Sequence, residues 1–231
     1  MFPEKDQKIR ISIGRLFFTV VYVLLTIGSN AQSSSNIYTE SAWTERDKWQ
    51  KPELIIDQLA LDPGDNVADL GCHEGYMTVK LAGKVTDGGL VFAVDIGEYK
   101  LRRLRDHLKE RNIENVIVIE GEPEDPKLPK EKLDAVLILD TYHEMDGHML
   151  VLEHIKTALK PEGRLVIVEP IRESLRGKGR GEQEGKHEID LHFVREDLEK
   201  AGFRIIKEQD PFIDRTKPKG DKLWLLVAVK D

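Results

Sequence analysis

Cysteine is almost missing from this chain of 231 residues, Cys72 being the only one. That excludes an intramolecular disulfide and a zinc site built from clustered cysteines. Aromatic residues are few, at 6%. A basic excess is missing as well: the formal net charge is −7 and the pI is near 5.6. Nucleic-acid partners usually announce themselves by a basic face, so none is expected. No internal repeat is present. Apolar runs are short, the most continuous being Leu16 to Ile27, broken only by Thr19 and Thr26. That is less than the ~20 residues that span a bilayer as a helix. What the chain does have is a hydrophobic fraction of 40%, enough for one domain of ordinary size plus an extension.

The extension is at the N-terminus. Lys5, Lys8, Arg10 and Arg15 precede the apolar run, and Ser29-Asn30-Ala31 then places small residues where a signal peptidase inspects the chain. Residues 1–31 are therefore expected to be a signal peptide, with export to the periplasm or medium after cleavage and transient membrane contact through residues 16–27. An uncleaved membrane anchor is the alternative. Residues 32–49 read as a linker and an N-terminal cover carrying Trp43 and Trp49, whose simplest role is packing. Residues 50–231 read as one domain.

Within it, Asn66 to Leu70 is a short apolar strand that runs into Gly71-Cys72-His73-Glu74-Gly75. A helical pattern follows, with Gly83 as its expected stop. The next strand, Leu90 to Val94, ends on Asp95. This strand–turn–helix–strand unit puts a glycine turn at the carboxyl end of its first strand. Nucleotide-like ligands dock there, because glycine lets the backbone come close and the helix start offers N–H groups. Asp95, at the tip of the second strand, is placed to accept hydrogen bonds from both hydroxyls of a ribose. The dinucleotide fingerprint Gly-x-Gly-x-x-Gly is absent. Asp69 and Glu74 instead put two carboxylates in the turn, which suit a ligand with a free amine better than a pyrophosphate.

The turn Asp69-Leu-Gly71-Cys-His73-Glu-Gly75, followed by the spaced acid Asp95, resembles the first motif of the class I S-adenosylmethionine-dependent methyltransferases, Asp/Glu-x-Gly-x-Gly-x-Gly. The likeness runs from about Gln50 to the C-terminus. One departure is His73, where the family has its central glycine, and a histidine tolerates positive φ poorly. The resemblance implies an α/β fold with a doubly wound, mainly parallel seven-stranded sheet of order 3-2-1-4-5-7-6, its last strand antiparallel. It implies S-adenosyl-L-methionine as cofactor, held by Asp69, Gly71, Cys72, His73, Gly75, Asp95, Ile96, Glu122 and Asp140. Glu122 matches the acid that bonds the adenine amine, with Glu124 and Asp125 as alternatives, and Pro123 lacks the N–H that often holds the ring. Cytosolic synthesis of this cofactor sits uneasily with export.

The remaining strands are expected at Val116–Ile119, Asp134–Asp140, Arg164–Val168, Phe203–Ile206 and Leu223–Val229. Helices are marked by the stripes Leu101/Leu104/Leu108, Leu152/Ile155/Leu159 and Val194/Leu198. Strands alternating with helices make a parallel sheet covered on both faces, and its strand ends carry the site. Asp140 and His143 stand past the fourth strand and are the candidate catalytic residues. His143 titrates in the useful range and serves either as a base or as a loop-ordering group bonded to a backbone carbonyl. Asp140, Glu169, His187 and His192 match no metal-ligand spacing, so no metal is expected. Cys72 in an acidic turn is a poor nucleophile. Residues 171–186, rich in glycine and charge, read as a mobile loop beside the site, a lid or plain surface. The chemistry implied is methyl transfer to a small or peptide-like acceptor. The rivals are a nicotinamide-dependent oxidoreductase and a non-catalytic exported binding protein that keeps the fold.

Overall fold

The computed structural model describes residues 40–230. The expected signal or anchor at 1–31 and residues 32–39 of the expected linker and cover at 32–49 lie outside the described residues. Two helices, α1 (Glu40–Gln50) and α2 (Pro52–Leu59), precede the sheet. Pro52 opens α2 where its missing N–H costs nothing, and Ala60, at φ 50°, ends it. The unit β1 (Val67–Leu70), α3 (Tyr76–Lys84) and β2 (Val91–Asp95) follows, then α4 (Glu98–Glu110) and β3 (Val116–Glu120). The second half comprises β4 (Leu133–Leu139), α5 (His148–Ala158), β5 (Leu159–Ile171), α6 (Arg180–Glu184), α7 (Leu191–Lys200), β6 (Phe203–Arg215), α8 (Thr216–Lys219) and β7 (Asp221–Lys230).

The seven strands lie in the order β3-β2-β1-β4-β5-β7-β6. β1 pairs in parallel with β2 and β4, and β7 runs antiparallel between β5 and β6. The architecture is the one the family resemblance implied. Side-chain alternation along the central strands feeds two cores, one on each face. On β4, Val136 and Ile138 join Leu152, Ile155, Val194 and Trp224 on one side. Ala135, Leu137 and Leu139 join Ile55, Leu59, Met77 and Leu81 on the other. With both faces covered, the strands read as continuous apolar runs.

Local boundaries differ from expectation in three places. The helix after the glycine turn does not stop at Gly83 but continues to Lys84. Leu159 leaves the helical stripe and begins β5, pairing with Leu133. Pro161 bears on this, because it steers Lys160 out of the helical region and helices usually end at or before the residue preceding a proline. Residues 171–186, expected to be a mobile loop, are folded. Leu175 and Gln183 are buried. The Gln183 amide donates to the carbonyls of Leu175 and Lys178, and its oxygen accepts from Asp190 N–H at 2.7 Å. Arg176 makes two hydrogen bonds to the Asp210 carboxylate, at 2.7 and 2.8 Å. A segment with no apolar period is ordered here by polar contacts.

Gln183→Leu is expected to lower unfolding stability by about 1–3 kcal/mol, since it leaves buried backbone groups unpaired. Urea denaturation of both proteins checks it, and an unchanged midpoint would return the segment to a loosely held loop.

Candidate functional site

The site lies at the carboxyl ends of β1, β2 and β4. Between β1 and α3 the chain turns through Gly71 (φ 81°), His73 (φ 52°) and Gly75 (φ 92°). The N–H groups of Gly71 and Cys72 both donate to Val94 O, which ties the turn to β2. His73 does take the left-handed conformation, and it is held there. Its N–H donates to Asp95 Oδ2 at 3.0 Å, while Asp95 Oδ1 accepts from Gly97 N–H at 2.8 Å. The buried Asp95 carboxylate thus bridges the two turns that flank the crevice.

The loop after β4 is built on another buried carboxylate. Glu169 is fully buried; its Oε1 accepts from Thr141 and Tyr142 N–H at 2.6 and 2.7 Å, and its Oε2 lies 2.6 Å from His143 Nδ1. Burial opposes charge on His143, but the Glu169 carboxylate outweighs it and raises the imidazole above its ordinary range. Asp140 adopts φ 55° and faces the Arg215 guanidinium at 3.4 Å. Arg215 is itself buried and bonded to Asp221 and Gln50.

Two cavities meet over this framework. A polar one of about 320 Å³ is lined by Asp69, Gly71, Cys72, His73, Asp95 and Asp140, with Arg46, Glu74, Tyr76, Lys100, Thr141 and Glu144 completing its wall. A more apolar one of about 280 Å³ is lined by Val94, Ile96, Gly121, Glu122, Pro123, Met145 and Val151 among others. Gly71, Asp95, Lys100, Thr141 and Glu144 belong to both. Of the residues expected to hold a cofactor, all but Gly75 line this crevice. Gly75 instead allows α4 to approach: a Cβ there would stand 2.3 Å from Leu104 Cδ1. His143 does not line either cavity; its side chain is 3% exposed and lies behind the wall. Ile96 is 61% exposed, an apolar side chain on the rim of the apolar lobe.

Arg46 comes from the N-terminal cover and was not singled out by sequence. Its guanidinium lies 4.0 Å from the Tyr76 ring centroid, and burial lowers its pKa. α1 is fastened to α3 by Asp47, which accepts from Tyr76 Oη at 2.5 Å and Lys80 Nζ at 3.0 Å. A signal existed: Trp43, Arg46 and Trp49 are spaced by three and share one helix face.

A parallel sheet with one antiparallel insertion, and a glycine turn facing a strand-end acid, defines the class I methyltransferase architecture. The family described as "Methyltransferase domain" matches residues 61–206, and the chain belongs to it. A demethylmenaquinone methyltransferase from Listeria welshimeri is 26% identical over 130 residues, covering 56% of this chain and 54% of that protein. The chain thus matches about half the length of this curated relative. Among solved structures, a SAM-dependent methyltransferase from Aquifex aeolicus superposes with a TM-score of 0.69 at 22% identity, over 84% of this chain and 100% of the other. A Haemonchus contortus phosphoethanolamine N-methyltransferase in complex with S-adenosyl-L-methionine gives 0.63 at 15% identity, over 85% and 58% respectively. The cofactor of this family is S-adenosylmethionine.

The residues present fit that cofactor. Asp69 is a buried acid lining the polar lobe, and among the described residues Arg46 Nε is buried with no hydrogen-bond partner and no side chain caps the start of α3. Gly71 packs closely against Thr141 where the two lobes join. A Cβ on Gly71 would fall 2.3–2.7 Å from the Thr141 side chain, on a residue at φ 81°. Gly71→Ala is therefore expected to cost about 2–4 kcal/mol, combining overpacking with left-handed strain. Thermal and urea unfolding would show it; a neutral substitution would mean the turn is not held against the β4 loop.

Proposed function

We propose that this chain transfers the methyl group of S-adenosylmethionine to a small or peptide-like acceptor, and that the crevice binds the cofactor across both lobes. The observation that carries the reading is the joining of a polar lobe to an apolar one at Gly71, Asp95 and Thr141. A molecule with a zwitterionic end, a ribose and an aromatic base needs that sequence of surroundings. Asp69 stands for the amino group and Arg46 for the carboxylate. Asp95 faces the ribose, with the backbone bonds that already fix its carboxylate orienting it. Ile96, Glu122 and Pro123 form the base pocket. Glu122 is paired with Lys127 at 2.8 Å in the free chain, so bonding an adenine amine would compete with that exposed ion pair.

When bound, the cofactor supplies a sulfonium methyl that is already a strong electrophile, and the protein's part is chiefly orientation. Asp140 and Glu144 line the polar lobe near the loop after β4, and Asp140 is the carboxylate placed to take a proton from an acceptor that carries one. His143, expected as the base, sits behind them with Nδ1 committed to Glu169. The oxidoreductase reading loses its support, since Asp69 and Glu74 in the turn repel a pyrophosphate.

Asp69 gives the test. Burial pushes its carboxyl from 3.8 up to about 6, against the lowering effects of the Thr78 hydrogen bond and Arg46. Between pH ~4 and ~6 the folded chain holds a proton the unfolded chain has lost, so this group's contribution to stability falls as pH rises through that window. A cation bound beside it favours the carboxylate, so binding expels the proton. Affinity for S-adenosylhomocysteine, which keeps the amine, should fall by up to about ten-fold per pH unit below ~6. Asp69→Asn should bind more weakly at pH 7 and lose the pH dependence. Calorimetric titrations from pH 5 to 8 check both, and a flat wild-type profile would remove Asp69 from the amine site.

A further inference from the structure

At the wall of the crevice, three side chains from two distant segments converge. His143 and Glu144 follow β4, and His187 comes from the folded segment after β5. The Nε2 of His143 lies 3.9 Å from Glu144 Oε1, and His187 Nδ1 lies 3.4 Å from the same oxygen. One ligand atom from each residue falls within 4.8 Å of the others, and the two imidazoles stand nearly edge-on, at 78°. We propose that His143, Glu144 and His187 form a binding site for a divalent transition-metal ion of the zinc type.

Two nitrogen ligands and one carboxylate are a ligand set such ions take. Ligand bonds of about 2.0–2.2 Å in tetrahedral geometry set donor atoms roughly 3.3–3.6 Å apart. The two separations to Glu144 are at that spacing or a few tenths wider, the two imidazole nitrogens lie within 4.8 Å of each other, and the exposed His187 and Glu144 side chains are free of the core and able to close on an ion. His143 is already oriented as a ligand: Nδ1 is held by the buried Glu169 carboxylate, which directs Nε2 to the cluster. A carboxylate behind a ligating histidine fixes its ring and raises its basicity. His187 is held at φ 58°, a conformation that costs free energy in a non-glycine residue and that clusters at functional sites. A second grouping, Asp140 with His143 and Glu169, fits less well. Glu169 has spent its oxygens on Thr141, Tyr142 and His143, and Asp140 faces Arg215. Glu144 lines both lobes of the crevice, so an ion on it would sit in the crevice wall. The local sequence matches no metal motif because the ligands come from segments joined only by the fold.

The test is zinc titration of the full chain without an affinity tag, after treatment with a chelator. The readouts are calorimetry for stoichiometry and cobalt substitution for the visible spectrum. One ion per chain is expected, with the intense bands of a four-coordinate cobalt site. His187→Ala, on the exposed ligand, should weaken zinc binding by at least ten-fold while leaving the melting temperature of the metal-free protein unchanged. Glu169→Gln, which is no ligand, should weaken it about 10–100-fold. Zinc binding equal in wild type and His187→Ala, or no stoichiometric binding, would overturn the proposal and leave a surface ion pair between His187 and Glu144. S-adenosylhomocysteine affinity measured on the same metal-free samples separates this result from the cofactor reading, which does not depend on the ion.

Discussion

The crevice depends first on one buried carboxylate. Asp95 accepts from His73 N–H on one side and Gly97 N–H on the other. This joins the turn after β1 to the turn after β2 and holds a non-glycine residue in the left-handed region. Hydrogen bonds to a charged group are worth about 1.5–3 kcal/mol each, enough to offset the strain of one such residue. By the same geometry, asparagine is expected to be a poor replacement. Both carboxylate oxygens already accept from backbone N–H groups, and an amide would set a donor against a donor. The group proposed to face the ribose is thus also the group that shapes the turn.

A second buried carboxylate plays the same part across the crevice. Glu169 gathers Thr141, Tyr142 and His143 from the loop after β4, so β5 dictates how that loop leaves its strand. Thr141 then meets Gly71 at the waist of the crevice, and Glu144 faces both lobes. The two acids act at the ends of β2 and β5, on either side of the central strands. Parallel pairing of β2-β1-β4-β5 brings both to one edge of the sheet.

Much of this was legible in the sequence. Apolar runs alternating with helical stripes implied a covered parallel sheet, and the family resemblance supplied its order, including the antiparallel last strand. Asp69, Gly71, Cys72, His73, Asp95 and Asp140 line the polar lobe, and Ile96 and Glu122 the apolar one. Their positions follow from strand ends, which local pattern marks well. Roles set by long-range contacts were hidden. Gly75 does not line either lobe and allows the close approach of Leu104. His143 was read from its position past β4, whereas its burial depends on Glu169, distant in sequence. Arg46 reaches the cavity from α1, which is clamped to Tyr76 and Lys80. The segment 171–186 lacks the apolar period that would have announced order, and a buried glutamine and arginine–carboxylate pairs supply it instead.

The central claim is that the joined lobes bind S-adenosylmethionine. It is tested most directly by calorimetric titration of the wild-type chain at neutral pH with S-adenosylhomocysteine and, separately, with a nicotinamide dinucleotide. Saturable one-to-one binding of the first and none of the second is expected. Tight dinucleotide binding without S-adenosylhomocysteine binding would contradict it.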